Sequence, residues 1–229
     1  NVFHLASEVS IKYCVEKPNE SMANNILATM NTLECARVHN VDRFVFSSTS
    51  AVYGNRMFHP KYETNQVQCL NTYSISKYSG EQLCEMYYHL YGLKTVMFRY
   101  FNVYGEGCHK TGQYAPVMSI FKRQQENKEP LTIVEPGYQT RDFVHVSDVV
   151  YANILATQRD LEEYGQVFNI GTGEGTEIQT IADLISDYQI TLPQRSGEVM
   201  HSTANIDKVQ KSLGWKWSIN VIDWIKKNF

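Results

Sequence analysis

The chain has 229 residues, of which 43% are hydrophobic, and it carries a formal net charge of -3 at pH 7. This length allows one large domain, or one domain with a smaller lobe, and the hydrophobic content is that of an ordinary globular core. Its lysines and arginines are scattered, and no apolar run approaches the roughly 20 residues that cross a bilayer, so we expect neither a nucleic acid nor a membrane as a partner.

The cysteines and histidines show no pattern typical of a disulfide framework or a metal site. The number of cysteines is odd, and they lie far apart without a C-x-x-C pair: Cys14, Cys35, Cys69, Cys84 and Cys108. None of the seven histidines stands in a metal-ligand spacing such as H-E-x-x-H. We therefore expect no metal, and a reducing cytoplasm is the simplest location for the protein.

The first half of the chain alternates predicted strands and helices. It opens directly with an apolar strand, "NVFHLAS", without a methionine, so we expect that the natural protein starts earlier. A helix is predicted over residues 18–40 behind a proline, followed by an apolar strand in "DRFVFSS". A helix then carries "TYSISK" and ends at Gly92, and "LKTVMFRY" is the next strand. This rhythm predicts an α/β fold built on a Rossmann-like doubly wound parallel sheet.

Beyond Gly105 the alternation becomes less regular. We predict an amphipathic helix in "PVMSIFKRQQENK", and then a strand, a loop and a helix capped at Ser147. The strand and glycine turn of "QVFNIGTGEG" follow, then a helix over residues 176–188 and short helices around a turn at Gly214. We assign residues 1–110 to the sheet domain and residues 111–229 to a smaller mixed α/β lobe whose chain crosses back to the sheet.

Three segments place polar side chains at the carboxyl ends of the predicted strands, where ligands bind in doubly wound sheets. They are "FSSTSAVYG", "TYSISK" and "RYFNVYG". Tyr73 and Lys77 share a helix face one turn apart. An ammonium at this separation favours the phenolate, which makes Tyr73 a candidate acid/base at neutral pH. Taken alone, Tyr-x-x-x-Lys also fits an interfacial tyrosine and a solvated lysine.

Seven segments stand in an order and spacing that resemble the extended short-chain dehydrogenase/reductase family. They are "VFHLAS", "FVFSSTSAVYG", "YSISK", "RYFNVYGEG", "QTRDFVHVSDV", "FNIGTG" and "RSGEV". Within that family the chain is most similar to nucleotide-sugar epimerases of the UDP-glucose (galactose) 4-epimerase type, and the resemblance covers essentially the whole chain. It implies an NAD-dependent 4-epimerase of the UDP-glucose/UDP-galactose type that oxidises C4 transiently, with N-acetylated UDP-sugars as further candidate substrates.

The resemblance implies a role for each matching residue at the catalytic and cofactor sites. Tyr73 matches the catalytic tyrosine, and Lys77 matches the lysine that binds the nicotinamide ribose and lowers the tyrosine pKa. Thr49 matches the catalytic serine or threonine, with Ser48 as the alternative one residue away. The residues implied in NAD binding are Leu5, Ala6, Asn24, Ser47, Ser48, Tyr73, Lys77, Tyr100 and Phe101. The last two aromatic residues fit core packing equally well.

The resemblance also implies contacts to the substrate. Asn102, Arg141, Arg195 and Glu198 match positions that hold the nucleotide diphosphate. A guanidinium pairs well with phosphate oxygens, which agrees with the two arginines, although both also fit salt bridges between lobes. Ser202 falls near a position that limits pocket size, and a small residue there favours N-acetylated sugars. Under this reading the second lobe mainly binds substrate.

Two departures from the family pattern bear on the reaction. Nucleotide-sugar 4,6-dehydratases carry an Asp-Glu pair directly after the catalytic threonine, but here Ser50 and Ala51 follow Thr49, which favours epimerisation. The G-x-x-G-x-x-G loop that receives the cofactor pyrophosphate is absent from the 229 residues, so we expect roughly 60 to 80 residues of a first βαβαβ half upstream. Residues 1–110 are then the C-terminal part of an NAD-binding domain. Two alternative functions stay open: another dehydratase or reductase of the family, and a non-enzymatic fragment that binds a nucleotide sugar but not NAD.

An aromatic run, "YYHLYG", ends the helix that carries Tyr73. It is explained most simply as a buried helix face. In many relatives two such helices pair across a dimer, so the resemblance makes Tyr87 and Tyr91 candidates for a homodimer interface.

Overall fold

Strands and helices alternate along the computed structural model, which describes residues 1–57, 59–108, 116–194 and 199–229. The strands are β1 (Val2–His4), β2 (Phe44–Thr49), β3 (Thr95–Tyr100), β4 (Asn102–Tyr104), β5 (Leu131–Val134), β6 (Thr140–His145), β7 (Gln166–Ile170), β8 (Gly175–Glu177), β9 (Gln189–Leu192) and β10 (His201–Ser202). The helices are α1 (Ile11–Glu16), α2 (Pro18–Met22), α3 (Ala28–Val38), α4 (Thr72–Tyr91), α5 (Val117–Glu126), α6 (Val146–Gln158), α7 (Ile178–Ile185), α8 (Asp207–Leu213) and α9 (Val221–Asn228). A π-helical segment, Ala23–Leu27, joins α2 to α3, and a 3-10 turn, Ser50–Tyr53, follows β2.

Within the described residues, β1, β2, β3 and β7 form a parallel four-stranded sheet in that order. β2 is covered on both faces: Phe44 and Phe46 pack with α3 and α4, whereas Val45 packs with α6 and α8. Successive side chains of a strand point to opposite faces, so a strand covered on both faces must be apolar throughout. The predicted Rossmann-like parallel sheet is confirmed, and this burial explains the unbroken apolar runs of its strands.

The other strands belong to smaller sheets. β4, β6 and β10 are parallel neighbours, β8 pairs antiparallel with β6, and β5 pairs in parallel with β9. Phe121, Phe143 and Ile181 belong to the buried cluster that joins these strands to α5, α7 and α9. β7 lies in the main sheet although it comes from the part of the chain assigned to the second lobe. The boundary predicted between residues 110 and 111 falls in 109–115, outside the described residues.

The starts of α6 and α7 and the number of strands in residues 131–145 differ from the sequence prediction. Residues 131–145 contain two strands, β5 and β6, where one was predicted, because Gly137 with φ at +84° turns the chain between them. α6 is capped by His145, whose Nδ1 accepts a hydrogen bond from the Ser147 amide at 3.2 Å, so Ser147 lies inside the helix. α7 begins two residues later than predicted, because Thr176 is still part of the ladder between β6 and β8.

Candidate active site

The carboxyl ends of β2 and β3 and the first turn of α4 lie at one edge of the main sheet. Thr49 and Tyr100 end their strands as paired neighbours. Asn71 caps α4: the Ser74 amide donates to Asn71 Oδ1 at 2.9 Å, and the Asn71 amide donates to Ser74 Oγ at 3.2 Å. This reciprocal capping fixes the first helical turn, which carries Tyr73.

A glycine allows α4 to lie close against β2. A methyl group at Gly80 would stand 2.3 Å from Cζ of Phe46, which is closer than real contacts allow. The helix axis can therefore approach the strand, and Lys77, almost one turn before Gly80, reaches the backbone of β2.

Lys77 is buried against that strand. The residue is 3% exposed, and its Nζ donates to the Ser47 carbonyl at 2.8 Å and lies 5.2 Å from the centroid of the Phe46 ring. Burial penalises the charged form and lowers the pKa of Lys77 to about 8. An ammonium has three donors and the described residues accept one hydrogen bond from it, so it can still donate to a ligand.

The Thr49 side chain lies beside the Tyr73 phenol. Burial raises the pKa of Tyr73, and Thr49 acts in the opposite direction because a hydrogen-bond donor beside the oxygen favours the phenolate. The Lys77 ammonium is directed at the Ser47 carbonyl. The lowering of the tyrosine pKa by Lys77 stays a prediction from the sequence, and Thr49 is a described group that acts in that direction.

Thr49 and Ser48, the two candidates for the catalytic hydroxyl, have different surroundings. Ser48 is 3% exposed and its hydroxyl donates to Glu81 Oε1 in the interior. Neighbouring residues of a strand point to opposite faces, so only one of the two can face Tyr73. That residue is Thr49.

Tyr73 and Thr49 line a cleft of ≈ 640 Å³. The residues singled out in the sequence that line it are Thr49, Tyr73, Tyr100, Phe101, Asn102, Arg141 and Ser202. The others are Ile11, Ser50, Ala51, Tyr53, Gly54, Asn55, Lys61, Leu70, Asn71 and Val199. The fold thus brings residues predicted for catalysis, cofactor and substrate to one cavity, and no Asp or Glu is among its described lining residues.

Two aromatic residues form part of the cleft wall. The Tyr100 hydroxyl accepts from Asn153 Nδ2 at 2.9 Å, and the Ser47 hydroxyl donates to it at 3.4 Å. Phe101 is 5% exposed and packs near Tyr53, with ring centroids 6.3 Å apart. Phe101 is therefore both a core residue and a wall of the cleft.

Arg141 and Asn102 are held by backbone carbonyls beside the cleft. Arg141 Nη1 donates to the carbonyl of Val199 at 2.6 Å and to that of Thr140 at 3.0 Å. Asn102 Nδ2 donates to the Asp142 carbonyl at 3.2 Å. Both side chains are thus oriented by groups on β6 and on the segment before β10, and a second pocket shares them.

The second pocket has a volume of ≈ 210 Å³, and its walls include Phe121, Phe143 and Gln139. Oε1 of Gln139 is buried and has no hydrogen-bond partner among the described residues. Flat aromatic walls with one unmatched acceptor suit a planar ring that carries an N–H donor. Arg195 and Glu198, predicted to hold the substrate, belong to residues 195–198 and lie outside the described residues.

Asn24, predicted to bind the cofactor, and its neighbour Asn25 have different surroundings. Asn24 is exposed, whereas Asn25 is buried: the Glu8 amide donates to Asn25 Oδ1 at 2.7 Å, and Asn25 Nδ2 donates to Ser76 Oγ at 2.8 Å. Consecutive residues of a helical turn lie on different faces, so only one asparagine can point toward α4. Leu5 and Ala6 follow β1 and are both exposed at the same edge of the sheet.

A buried charge network behind the site escaped the sequence reasoning. Arg99 on β3 donates to both carboxylate oxygens of Glu81 on α4, at 2.9 and 2.7 Å, and its guanidinium lies 4.8 Å from the Tyr53 ring centroid. The Tyr53 hydroxyl donates to Asn169 Oδ1 at 2.6 Å. The network joins α4, β3 and β7 behind the cleft. The sequence does contain a sign of this network, because Arg99 in β3 and Glu81 in α4 are charged residues inside otherwise buried elements.

Lys61 is a second residue that sequence reasoning missed. It is 2% exposed, lines the cleft, and donates from Nζ to the Arg56 carbonyl. Its backbone is fixed by hydrogen bonds to the Thr203 carbonyl and from the Asn205 amide, each 2.8 Å long. A lysine in a polar loop gives no local sign of burial, because the pairing that buries it comes from residues far along the chain.

The two tyrosines proposed for an interface have different surroundings. Tyr87 is 6% exposed, and its hydroxyl donates to Glu34 Oε2 at 3.2 Å, so it fills the seam between α3 and α4. Tyr91 is 52% exposed, with the Arg37 guanidinium 5.1 Å from its ring centroid. Of the two, only Tyr91 is available to a partner molecule.

Neither metal binding nor membrane crossing is suggested by the part of the chain that the structure describes. It contains no group of three or more His, Cys, Asp or Glu side chains placed to hold a metal ion. None of its helices combines the length and apolar character that crossing a bilayer requires.

Known proteins resemble this chain in sequence and in structure. A sequence model of the NAD dependent epimerase/dehydratase family matches residues 1–171. A Methanocaldococcus jannaschii protein, provisionally named a UDP-glucose 4-epimerase, is 37% identical over 242 aligned positions, covering 99% of this chain and 77% of that protein. The structure of a UDP-N-acetylglucosamine 4-epimerase from Methanobrevibacter ruminantium M1, in complex with UDP-N-acetylmuramic acid, matches with a TM-score of 0.92 and 31% identity, covering 99% and 74% of the two chains. The Thermotoga maritima UDP-glucose 4-epimerase with UDP-glucose matches with a TM-score of 0.92 and 34% identity, covering 98% and 74%.

Proposed function

Because this chain belongs to the NAD dependent epimerase/dehydratase family, as its sequence segments predicted, we propose that it is a nucleotide-sugar 4-epimerase that transiently oxidises the sugar at C4. The observation that carries the proposal is that Tyr73, Thr49 and Arg141 line one cleft of ≈ 640 Å³, in which Thr49 lowers the pKa of the Tyr73 phenol. A phenol that exchanges a proton and a guanidinium that binds phosphate suit a sugar joined to a diphosphate. The names of the relatives support this class of substrate.

The residues present fit the nicotinamide side of NAD. Lys77 retains donors for a ligand beside Ser47, and the Tyr100 ring lines the cleft at the neighbouring strand end. We assign the contacts to NAD to these residues, with Phe101 as a wall and Leu5, Ala6 and Ser48 as neighbours, and Asn25 replaces Asn24 in the set. NAD, when bound, accepts the hydride from C4 and returns it. No pyrophosphate contact is assigned, because the 229 residues contain no glycine-rich loop of the family pattern.

In the proposed reaction Tyr73 moves a proton at the C4 hydroxyl of the sugar. As a phenolate it accepts that proton while C4 is oxidised, and as a phenol it returns the proton after the sugar has turned its other face; Thr49 favours the phenolate from which the cycle starts and to which it returns. Lys77 stays charged below a pH of about 8, so at neutral pH it can bind the cofactor ribose as an ammonium donor. The small side chain of Ser202 leaves room for the sugar to turn.

The substrate is proposed to be a UDP-sugar that extends from the cleft into the ≈ 210 Å³ pocket. We place the base in this pocket, where Gln139 Oε1 can accept from an N–H of uracil and Phe121 and Phe143 are among the walls. Arg141, which lines both cavities, then lies where the diphosphate must pass. Arg195 and Glu198 keep their proposed substrate roles from the sequence alone.

The lining of the cleft favours epimerisation over dehydration. Elimination of water needs a general acid beside the leaving hydroxyl. Ser50 and Ala51 occupy the cleft after Thr49, and its described lining includes no carboxylate. Another reaction of the family, and binding without catalysis, remain as outcomes that the test below distinguishes.

We propose that the protein forms a homodimer through the exposed side of α3 and α4. Met86 and Leu90, one turn apart on α4, are 38% and 65% exposed, and Met30 on α3 is 39% exposed. With Tyr91 they give an apolar helix pair of the kind that a second copy covers. We keep the cytoplasm as the proposed location, because the five cysteines are unpaired thiols in the described structure.

The test of the proposed function uses the complete gene product that contains these 229 residues. It is incubated with UDP-galactose or UDP-N-acetylgalactosamine, and formation of the 4-epimer is followed by NMR. The wild type is expected to interconvert at least one epimer pair, and Tyr73→Phe, which removes only the hydroxyl, is expected to abolish turnover. Tyr188→Phe removes the hydroxyl of an exposed tyrosine outside the cleft and serves as the matched control.

Two results would overturn the proposal. Turnover by Tyr73→Phe at the wild-type rate would remove the tyrosine from the reaction. Tight binding of UDP without turnover of either sugar would instead leave the family and fold in place and favour a different reaction or a binding role.

A further inference from the structure

A third cavity adjoins the cleft on the side of the loop after β2. It has a volume of ≈ 270 Å³ and is lined by Asn55, Arg56, Met57, His59, Val199, Met200 and His201. Asn55 and Val199 also line the cleft, so the two spaces meet at these residues. Neither the reaction at Tyr73 nor binding of the base and diphosphate uses this cavity.

Basic groups converge on this cavity. The His59 and His201 rings lie 5.9 Å apart, and Lys61, on the cleft side, donates to the carbonyl of Arg56. Burial lowers the pKa of His59, and His201 and Lys61 lower it further because they are nearby like charges. The described lining of the cavity includes no Asp or Glu.

Arg56 provides an independent sign of a ligand. Its Nε is buried and has no hydrogen-bond partner among the described residues. A buried guanidinium N–H without an acceptor costs free energy, which a bound anion would recover. Arginine pairs with carboxylates and with phosphates through two parallel N–H donors. Because the diphosphate is already assigned to Arg141, a carboxylate on the sugar is the anion that we assign to Arg56.

We propose that this cavity is a subsite for a carboxylate carried by the sugar on a side arm, held by Arg56, His59 and His201. The inference rests on the proposed function and narrows its substrate to nucleotide sugars with an acidic substituent. A carboxylate at C6 of the hexose stays within the sugar's own outline and therefore within the cleft. A carboxylate on an ether arm can pass Asn55 and Val199 into a separate cavity of this size.

The test measures binding of UDP-sugars by calorimetry and does not depend on turnover. The probes are UDP, neutral UDP-N-acetylglucosamine, UDP-N-acetylmuramic acid with a carboxylate on an ether arm, and UDP-glucuronic acid with a carboxylate at C6. UDP-N-acetylmuramic acid is expected to bind about tenfold more tightly than UDP-N-acetylglucosamine, the gain of one charged hydrogen-bonded contact. Arg56→Gln is expected to remove most of that ratio, while Arg159→Gln, an exposed arginine outside the cavities, keeps it.

The other results of this binding test would contradict either the carboxylate subsite or the proposed function. Equal affinity for the two N-acetylated probes, or an unchanged ratio in both Arg56→Gln and His59→Gln, would overturn the subsite while leaving the proposed function standing. A gain confined to UDP-glucuronic acid would place the carboxylate in the cleft and also overturn the subsite. Failure of UDP and every UDP-sugar to bind would refute the proposed function itself.

Discussion

Replacing Lys77 by methionine is expected to change how the stability of the fold depends on pH. Lys77 is 3% exposed, and burial lowers its pKa from the ordinary 10.5 to about 8. In the unfolded chain the side chain is solvated and regains its ordinary value. Between about pH 8 and pH 10.5 the unfolded state therefore binds more protons than the folded state, and the contribution of this group makes the fold more stable as pH rises.

The size of the effect follows from the two pKa values. Their difference corresponds to about 3 kcal/mol, an order-of-magnitude figure that needs no discount for solvent because the residue is almost fully buried. Below a pH of about 8 the ammonium is charged in both states, so the fold carries the whole cost of burying it. Methionine has a similar length and no charge, and it removes both this cost and the hydrogen bond to Ser47, which contributes about 1 kcal/mol.

The assay is urea unfolding of the wild type and Lys77→Met at pH 7, 8, 9 and 10. Between pH 7 and pH 10 the free energy of unfolding of the wild type minus that of the variant is expected to rise by about 2.5 kcal/mol, most of the full effect, and contributions of other titrating groups cancel in the difference. Lys211→Met, which removes an exposed lysine on α8, controls for the loss of one positive charge. A difference that stays flat with pH, or that falls, would refute the burial argument.

Two further predictions concern the network behind the cleft and the proposed dimer. Glu81→Gln leaves the Arg99 guanidinium buried opposite a neutral amide, so we expect a loss of about 3–5 kcal/mol in urea unfolding; a loss below about 1 kcal/mol would show that the pair is solvated. Leu90→Lys places a charge on the exposed apolar side of α4, so sedimentation should show monomers where the wild type sediments as a dimer. An unchanged dimer would move the interface away from this helix pair.

The position of Tyr73 and Thr49, the proposed catalytic pair, could be predicted from the sequence because it depends on local signals. Thr49 follows an apolar run that ends in small hydroxyls, and Asn71 opens a helix that places Tyr73 in its first turn. Parallel strands end at the same edge of a sheet, so a strand end and the following helix start meet without further information. The cleft of the structure brings both residues together with Arg141.

Three features could not be predicted from the sequence: which asparagine faces α4, the lowered pKa of Lys77 and the burial of Lys61. They depend on the exact helical turn or on contacts made only in the folded chain. Asn24 and Asn25 differ by about 100° around a helix, and the π-helical turn that contains them shifts the count from the preceding proline. The lowered pKa of Lys77 requires the close approach of α4 to β2 that Gly80 permits. Lys61 is buried by pairing with residues about 140 positions away, and only long-range topology supplies that contact.

Transient oxidation at C4 by this site is tested most directly with an isotope label. UDP-galactose carrying deuterium at C4 is incubated in ordinary water with the complete gene product and with its Tyr73→Phe variant, and the product is analysed by mass spectrometry and NMR. A hydride that leaves and returns within the site keeps the deuterium at C4 of the epimer, and Tyr73→Phe forms no labelled epimer. Epimer that has lost its deuterium to water would contradict the account, because it would require removal of a proton from carbon rather than a hydride.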